Sequence, residues 1–446
     1  MWNNRHVRVI LSSRILLNMG VWIRNFAVLL YVSEMTDNDS YYVSLISVAE
    51  FAPIFIFSII GGTFADRWKP RRTMVGSDLL TSASVFAVLL ALVYGSWHAL
   101  FFAAFVSSVL SQFSQPSAMK LFKRHVPEDR LQGVMALQQS ISSLFMIIGP
   151  MAGAFVYAKF GIETSLAAMG VLILGSGLLL LRLPKDDEEP GQTRAQSRFW
   201  LELKAGLRYV VANRTLRSLG GTFMAAGLAA GLIQPLLLFV AIENLGRDRD
   251  FVQWLLATNG AATLVGGAFV MTAAKKVKPQ RLLAFGLLVS AAGTVGIGWA
   301  HSLAAVLLLQ IATGLCYPLI MIGIQTMIMR NTEGAYIGRV GGVMTPLFMG
   351  MMVVGMSLAG GLKMTLSLQI VYSISGILFL TGAAALFPML GGGKSRAVEE
   401  GYSPNSRYTR KVTAAAMEAP ASACHGVWAP TRHLAQPTRT MSGAHQ

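Results

Sequence analysis

Two charged side chains stand inside apolar runs, and their spacing gives them a common depth. Arg24 interrupts the run at about 10–32 and Glu50 the run at about 41–65. An ionisable group surrounded by lipid-soluble sequence is costly and by default marks function. Measured from the connection Glu34-Met35-Thr36-Asp37-Asn38-Asp39, Arg24 lies about eight residues in and Glu50 about nine, roughly 12–13 Å at the helical rise. Consecutive spans joined by so short a loop are usually neighbours, so the two can meet, and pairing relieves the cost of burying either alone. Two roles stay open. Either Glu50 takes up a proton on one side and releases it on the other, its grip on Arg24 changing with its charge, or the pair permanently ties the first two spans. Among basic residues only Arg24 reads as deep; among acidic ones Glu50 and Asp78 lie inside spans, with Glu243 at a border.

A second constellation joins the second apolar run to the third: Gly62-Thr63-Phe64-Ala65-Asp66-Arg67-Trp68-Lys69-Pro70-Arg71-Arg72. The glycine lets a helix pack tightly as it leaves the membrane. Asp66, Arg67, Arg71 and Arg72 can latch the loop to neighbouring helix ends, whose backbone groups lack partners. Asp78 lies within reach of this loop and reads as a latch partner for Arg67, Arg71 or Arg72. Amides recur elsewhere in the runs: Asn18, Asn25, Gln112, Gln115, Gln138, Gln139, Gln234, Asn259, Gln310 and Gln325. With Tyr317, and Met321, Met344, Met349 and Met352 as a soft lining, they sketch a substrate cavity; for any single methionine, ordinary packing competes. Few deep charges and many amides favour an amphipathic or hydrophobic organic substrate over an inorganic ion.

The elements that must hold these residues follow from composition. The 446 residues are 54% hydrophobic and 13% charged, against roughly 25% charged in a soluble domain. At about 20 apolar residues per crossing, twelve spans can be placed, approximately at 10–32, 41–65, 73–95, 98–120, 132–158, 162–182, 216–243, 251–273, 282–300, 303–328, 340–362 and 364–390. The first is too long, and too charged at Arg14 and Arg24, for a cleaved signal peptide. The net charge of +16 sits in alternate connections, such as Arg67 to Arg72, Lys120 to Arg130 and Lys275 to Arg281. It is therefore a topology signal that places both termini in the cytoplasm, with lipid headgroups rather than nucleic acid as the anionic partner. Cys316 and Cys424 are too few for a disulfide framework, and no histidine lies in an apolar core, so neither a metal site nor a cofactor is expected. No nucleophile–base pair appears, and an enzyme is not expected.

Six spans precede a polar connection at about 183–215 and six follow, with Lys69-Pro70-Arg71-Arg72 faintly echoed by Lys278-Pro279-Gln280-Arg281. Within the connection, Phe199, Leu203, Leu207 and Val210 form one helical stripe with Lys204 and Arg208 opposite. That is either a helix on the membrane surface or one packed under the bundle. From about 391 the chain turns rich in Ser, Thr, Pro, Ala and Arg without periodicity and reads as a disordered tail. Gly393-Lys394-Ser395 imitates a phosphate loop, but Pro388 occupies the first glycine position and a membrane helix precedes it, which excludes ATP-driven transport by this chain.

The 62–72 stretch resembles the G-x-x-x-D-R-x-G-R-R loop signature of the major facilitator superfamily, with Lys69 in place of the later glycine and Pro70 in place of the first basic residue. The resemblance covers nearly all of residues 1–390. It implies an all-α membrane protein of twelve transmembrane helices in two pseudo-symmetric six-helix halves (1–182 and 216–390), joined by a cytoplasmic linker (183–215) and followed by the tail (391–446). It also implies that Asp66 helps set the balance between open and closed states. Asn18-Met19-Gly20-Val21-Trp22-Ile23, Ser77-Asp78-Leu79-Leu80, Pro127-Glu128-Asp129-Arg130-Leu131 and Gly338-Arg339-Val340 are similar to the macrolide-efflux-like branch of drug:proton antiporters. Gly149, Pro150 and Gly153, in Ile148-Gly149-Pro150-Met151-Ala152-Gly153, resemble the second half of the motif associated with exporters; Ala136 and Phe145 stand where its first glycines would be. The expected protein is a monomeric exporter in the cell membrane that exchanges protons for a drug-like molecule. A dedicated siderophore or metabolite exporter, or a sensor or scaffold on the same fold, are the alternatives.

Overall fold

The computed structural model describes residues 5–65, 68–184, 196–273, 277–333 and 336–386. The chain divides into a unit over Met1–Gly391 and a second over Gly392–Gln446; the predicted tail lies outside the described residues. Within those residues the regular structure is helical throughout. Eight of the described helices are long and apolar enough to cross a membrane.

Helix α1 (Arg5–Met35) and helix α2 (Ser40–Ala65) are joined by a tight turn in which Asp37 and Asn38 adopt φ of 50° and 63°. Asp and Asn are among the few side chains that tolerate this left-handed region. The Asn38 amide closes the turn on the Ser33 carbonyl at 2.8 Å. Helix α3 (Pro70–Val93) opens with Lys69 extended and Pro70 in the first helical turn, so the residue that departs from the loop signature starts the helix. Helix α10 (Pro279–Trp299) is built the same way on Lys278 and Pro279. The backbone of the faint sequence echo is therefore equivalent: φ/ψ of −66°/113° at Lys69 and −63°/134° at Lys278.

Helix α4 (Ala99–His125) is followed by α5 (Glu128–Leu180), one continuous run that takes in both predicted spans, 132–158 and 162–182. Gly161 breaks it, with φ 76° and ψ −177°, a conformation open essentially only to glycine. Helix α6 (Gln196–Ala212) lies in the central connection, and Asn213 caps α7 (Arg214–Ile233), accepting from the amides of Thr215 and Leu216 at 2.9 and 3.3 Å. The predicted span 216–243 is not one helix. It stops at Ile233, before Pro235, and resumes as a short α8 (Leu237–Phe239) and a π turn (Val240–Asn244). A 3-10 turn (Arg249–Phe251) leads into α9 (Val252–Ala273). Beyond α10 come α11 (Leu303–Arg330), α12 (Ile337–Thr365) and α13 (Leu368–Ala384).

The buried residues form clusters that divide the molecule by side. Toward the 36–39 turn, one cluster joins Phe26, Leu30, Val43 and Ala154 to Leu232, Leu236, Phe239, Ile297, Ala359 and Tyr372. Toward the 66–72 connection the cores separate. One holds Val7, Ile10, Met74, Leu121, Phe122 and Leu180, the other Leu216, Leu283, Ile324, Met327, Val340 and Phe379.

Of the stripe expected on α6, the side chains of Phe199 and Leu203 lie outside the described residues, and the packing divides the other two. Val210 is buried, but Leu207 is exposed together with Lys204 and Arg208. The docked face is chosen by Gly206, where the Arg339 backbone approaches, and by Tyr209, which stacks on Tyr336.

Candidate functional site

Helix α1 buries the cation Arg24 to 2% exposed. Its guanidinium does not reach Glu50 directly but spends its donors close to home. Nε donates to Asn25 Oδ1 at 2.9 Å, Nη2 donates to the same oxygen, and Nη1 donates to the Ala103 carbonyl of α4 at 3.2 Å. The other end of the Asn25 amide, Nδ2, donates to Glu50 Oε1 on α2. The expected two-residue contact is thus a three-residue one, with a neutral amide accepting from the cation and donating to the carboxylate. Glu50 is half-buried whereas Arg24 is sealed. The arrangement keeps the guanidinium satisfied whichever charge Glu50 carries, because the Asn25 oxygen and the Ala103 carbonyl do not titrate.

Gly149 and Gly153 position this centre. On the first arm of α5, a Cβ on Gly149 would run into the Trp22 ring, and one on Gly153 would sit 2.6 Å from Phe26 Cβ. Trp22 and Phe26 bracket Arg24 and Asn25 on α1, so the missing side chains let α1 lie close enough to hold both at this depth.

A second buried charge escaped the sequence reading. Arg14 is 7% exposed, so Arg24 is not the only deep cation. Arg14 Nη2 donates to the Ser114 carbonyl at 2.9 Å, while its Nε has no hydrogen-bond partner among the described residues. Asp78, 3% exposed, accepts from Ser176 Oγ at 2.6 Å, and that hydroxyl also reaches the Ser13 carbonyl at 3.1 Å. The depth matching that linked Arg24 to Glu50 would have found this group. Arg14 lies about nine residues into α1 and Asp78 about eight into α3, both counted from the 66–72 side.

Of the loop signature, Asp66 and Arg67 lie outside the described residues and Gly62 falls near the end of α2. Arg71 donates from Nη2 to the Leu181 carbonyl at 2.7 Å and from Nε to that of Leu180 at 3.4 Å, filling acceptors at the end of α5. Arg72 is exposed. The predicted cavity amides divide into two groups. Asn18 donates to the Arg14 carbonyl at 2.8 Å, Gln112 to Ser111 Oγ at 3.0 Å, and Asn259 to Gln310 Oε1 at 3.0 Å and Thr313 Oγ1 at 3.3 Å. Gln115, Gln139, Tyr317 and Gln325 are exposed, whereas Met344 is core, 1% exposed, rather than lining.

A cavity of about 420 Å³ opens at the 36–39 side, and its lining shares no residue with the predicted one: Leu30, Glu34, Asn38, Tyr157, Ala158, Ile242 and Arg247 to Asp250. Bonds between helices far apart in sequence rim it. Tyr157 Oη donates to Glu34 Oε2 at 2.8 Å and Arg249 Nε to Asn38 Oδ1 at 2.7 Å, while Ser40 Oγ donates to the Gly360 carbonyl at 3.0 Å beside it. Glu243, expected at a border, pairs with Lys363 at 2.5 Å.

The Major Facilitator Superfamily model matches residues 10–241 and again 219–428. Among curated proteins, the chain is 26% identical over 365 residues to the uncharacterized MFS-type transporter YkuC of Bacillus subtilis, covering 78% of this chain and 83% of that one. It is 26% identical over 339 residues to the multidrug efflux pump Tap of Mycobacterium tuberculosis, covering 72% and 78%. With macrolide efflux protein A of Streptococcus pyogenes it shares 24% over 226 residues, 48% of this chain and 54% of that one. Among solved structures, the nucleoside transporter NupG is matched with a TM-score of 0.72 at 11% identity, over 87% of this chain and all (100%) of that one.

Proposed function

The chain belongs to the Major Facilitator Superfamily, and on that premise we propose that this multi-pass membrane transporter is a secondary exporter. It would move amphipathic or hydrophobic small molecules out of the cell by alternating access, in exchange for protons. The observation that carries this reading is the Arg24–Asn25–Glu50 centre. It is a carboxylate at mid-depth, partly open, tied through one amide to a sealed cation. Neutralising Glu50 weakens its charge-assisted bond to Asn25 without unpairing Arg24, so the proton changes how α2 is held against α1 at small cost to the fold.

The twelve-span reading follows if the two arms of α5 each cross, α8 completes α7, and α9 to α13 supply the rest. The halves are then 1–182 and 216–390 with α6 between them, and the basic 66–72 side faces the cytoplasm of a monomer in the cell membrane. On this orientation the cluster that joins helices of both halves toward the 36–39 turn seals the outer side, and the separate cores opposite, each drawn from one half, leave the inner side as the way in. Likeness to Tap and to macrolide efflux protein A supports drug-like substrates. Loss of that breadth in favour of one compound would mark a dedicated exporter.

The test is made in proteoliposomes with an imposed pH gradient. Lumenal pH is followed while macrolides, other lipophilic drugs and siderophores are added. Wild type should give substrate-triggered proton flux, and Glu50→Gln should bind substrate without moving protons. Equal flux in both would return Glu50 to a structural tie.

A further inference from the structure

Helix α6 carries a face that transport, as proposed, does not use. Its docked side is fixed by Gly206, where a Cβ would meet the Arg339 carbonyl at 2.6 Å, by Val210, and by Tyr209 stacked on Tyr336 with ring centres 4.5 Å apart. Arg339 covers the same Tyr336 ring at 5.0 Å, and Tyr209 Oη accepts from the Glu333 amide at 3.4 Å. The helix is thereby clamped to the turn between α11 and α12. At about 100° per residue, Lys204, Leu207, Arg208 and Val211 fall on the opposite side. All four are exposed, Leu207 to 49% and Val211 to 52%.

A stripe that alternates aliphatic and cationic side chains suits the boundary between headgroups and acyl chains. There the carbons leave water while the ammonium and guanidinium reach phosphate. The position of α6 agrees, since only Asn213 separates it from α7, which is long and apolar enough to cross a membrane. Arg214 and Arg217 are exposed at the start of α7, and that first turn holds no acidic residue. Cations at a helix N-terminus oppose its dipole, so an anion beside them is attracted by the arginines and by the helix end together.

We propose that this joint is an anionic-lipid docking surface. Phospholipid headgroups contact Lys204 and the Arg214–Arg217 pair, while Leu207 and Val211 enter the acyl layer. Because the opposite face of α6 grips the α11–α12 turn, the lipid also steadies the start of α12, the helix whose Gly360 meets Ser40 across the seam. The surface stands whether or not Glu50 carries protons.

The experiment uses the full chain with Cys316→Ser and Cys424→Ser, a nitroxide on Val211→Cys, and liposomes of phosphatidylcholine with or without phosphatidylglycerol. The label should be more accessible to oxygen than to a water-soluble nickel complex, and the ratio should rise with phosphatidylglycerol. Each surface cation is worth about a fivefold change in partitioning, so Lys204→Gln/Arg214→Gln/Arg217→Gln should abolish the phosphatidylglycerol effect. A label more accessible to nickel in both vesicle types, or a ratio indifferent to both lipid and variant, would overturn the proposal. Reproduction of the effect by soluble glycerol phosphate would overturn the lipid as its source. Transport need not occur for any of these readings.

Discussion

Asn25 offers the sharpest test of how the buried centre is wired. Asn25→Ala removes two acceptor contacts from the Arg24 guanidinium and one donor from Glu50, and leaves Arg24 with the Ala103 carbonyl alone. Depriving a sealed cation of its partners costs about 3–5 kcal/mol. Glu50→Gln, by contrast, keeps a carbonyl oxygen for the Asn25 amide and loses only the charge assistance, about 1 kcal/mol. A direct ion pair would reverse the order, with Asn25 nearly silent and Glu50 expensive. Thermal melting of detergent-purified protein reads the difference, at roughly 1 °C per kcal/mol for a chain of 446 residues. The double variant should also show a coupling of about 1 kcal/mol between positions 25 and 50, the charge assistance that Glu50→Gln removes. Glu50→Gln melting below Asn25→Ala, or additivity within about 0.5 kcal/mol, would refute the bridging amide.

Three further outcomes follow from other contacts. Gly149→Ala should destabilise by about 1–3 kcal/mol through the Trp22 clash. Gly267→Ala, where an added Cβ meets nothing within 4 Å, should be neutral or gain up to about 1 kcal/mol; melting curves of the pair check both. Removing the rim bonds with Arg249→Ala and Tyr157→Phe should open the 36–39 side. A membrane-impermeant thiol reagent should then label Leu30→Cys several-fold faster, and an unchanged rate would mean the seam is held by its apolar cluster alone. His6 stacks on His125 at 4.5 Å, and burial together with the charges of His125 and Arg5 holds its imidazole below the usual 6.5. The unfolded chain therefore takes up this proton first. The contribution is present above pH 6.5 and declines as pH falls below it, and His6→Gln should flatten that part of the melting-temperature profile.

Much of the helical plan was legible because apolar length is read without knowing the neighbours. The breaks were legible only where they have a residue-level cause. Gly161 splits α5 where a gap between two spans had been placed, and Pro235 ends α7, a signal that the span drawn through 216–243 overlooked. Pro70 and Lys69 looked like defects in a signature, yet they cap and start α3, and Pro279 and Lys278 do the same for α10. At the site, depth counting brought Arg24 and Glu50 together but not the amide between them. Asn25 sits next to Arg24 on the same helix, and its bridging depends on rotamers that spacing does not encode. Arg14 was passed over although the same counting matches it to Asp78. On α6 the stripe shows which residues are apolar but not which of them dock: Val210 is buried and Leu207 exposed, and Gly206, with no side chain to score, marks the docked face.

Helix α2 is where these observations meet. Glu50 ties it to α1 through Asn25, while Ser40 binds the Gly360 carbonyl and the Phe55 ring lies 3.0 Å from where a Gly350 Cβ would be, both on α12. The tie to α1 therefore falls between two contacts with α12, about 15 Å from one and 8 Å from the other at the helical rise. On the proposed reading, opening the 36–39 side must separate α2 from α12 and expose Val43 and its apolar partners, so the cost lies mainly in the cluster. A proton on Glu50 cannot supply that cost through one hydrogen bond. It can loosen α2 from α1 and so change which neighbour the helix follows when the halves rock. A carboxylate so placed acts as a selector between two packings rather than as the engine of the change. That is why the centre can afford a neutral amide where a direct ion pair would have locked α2 to α1.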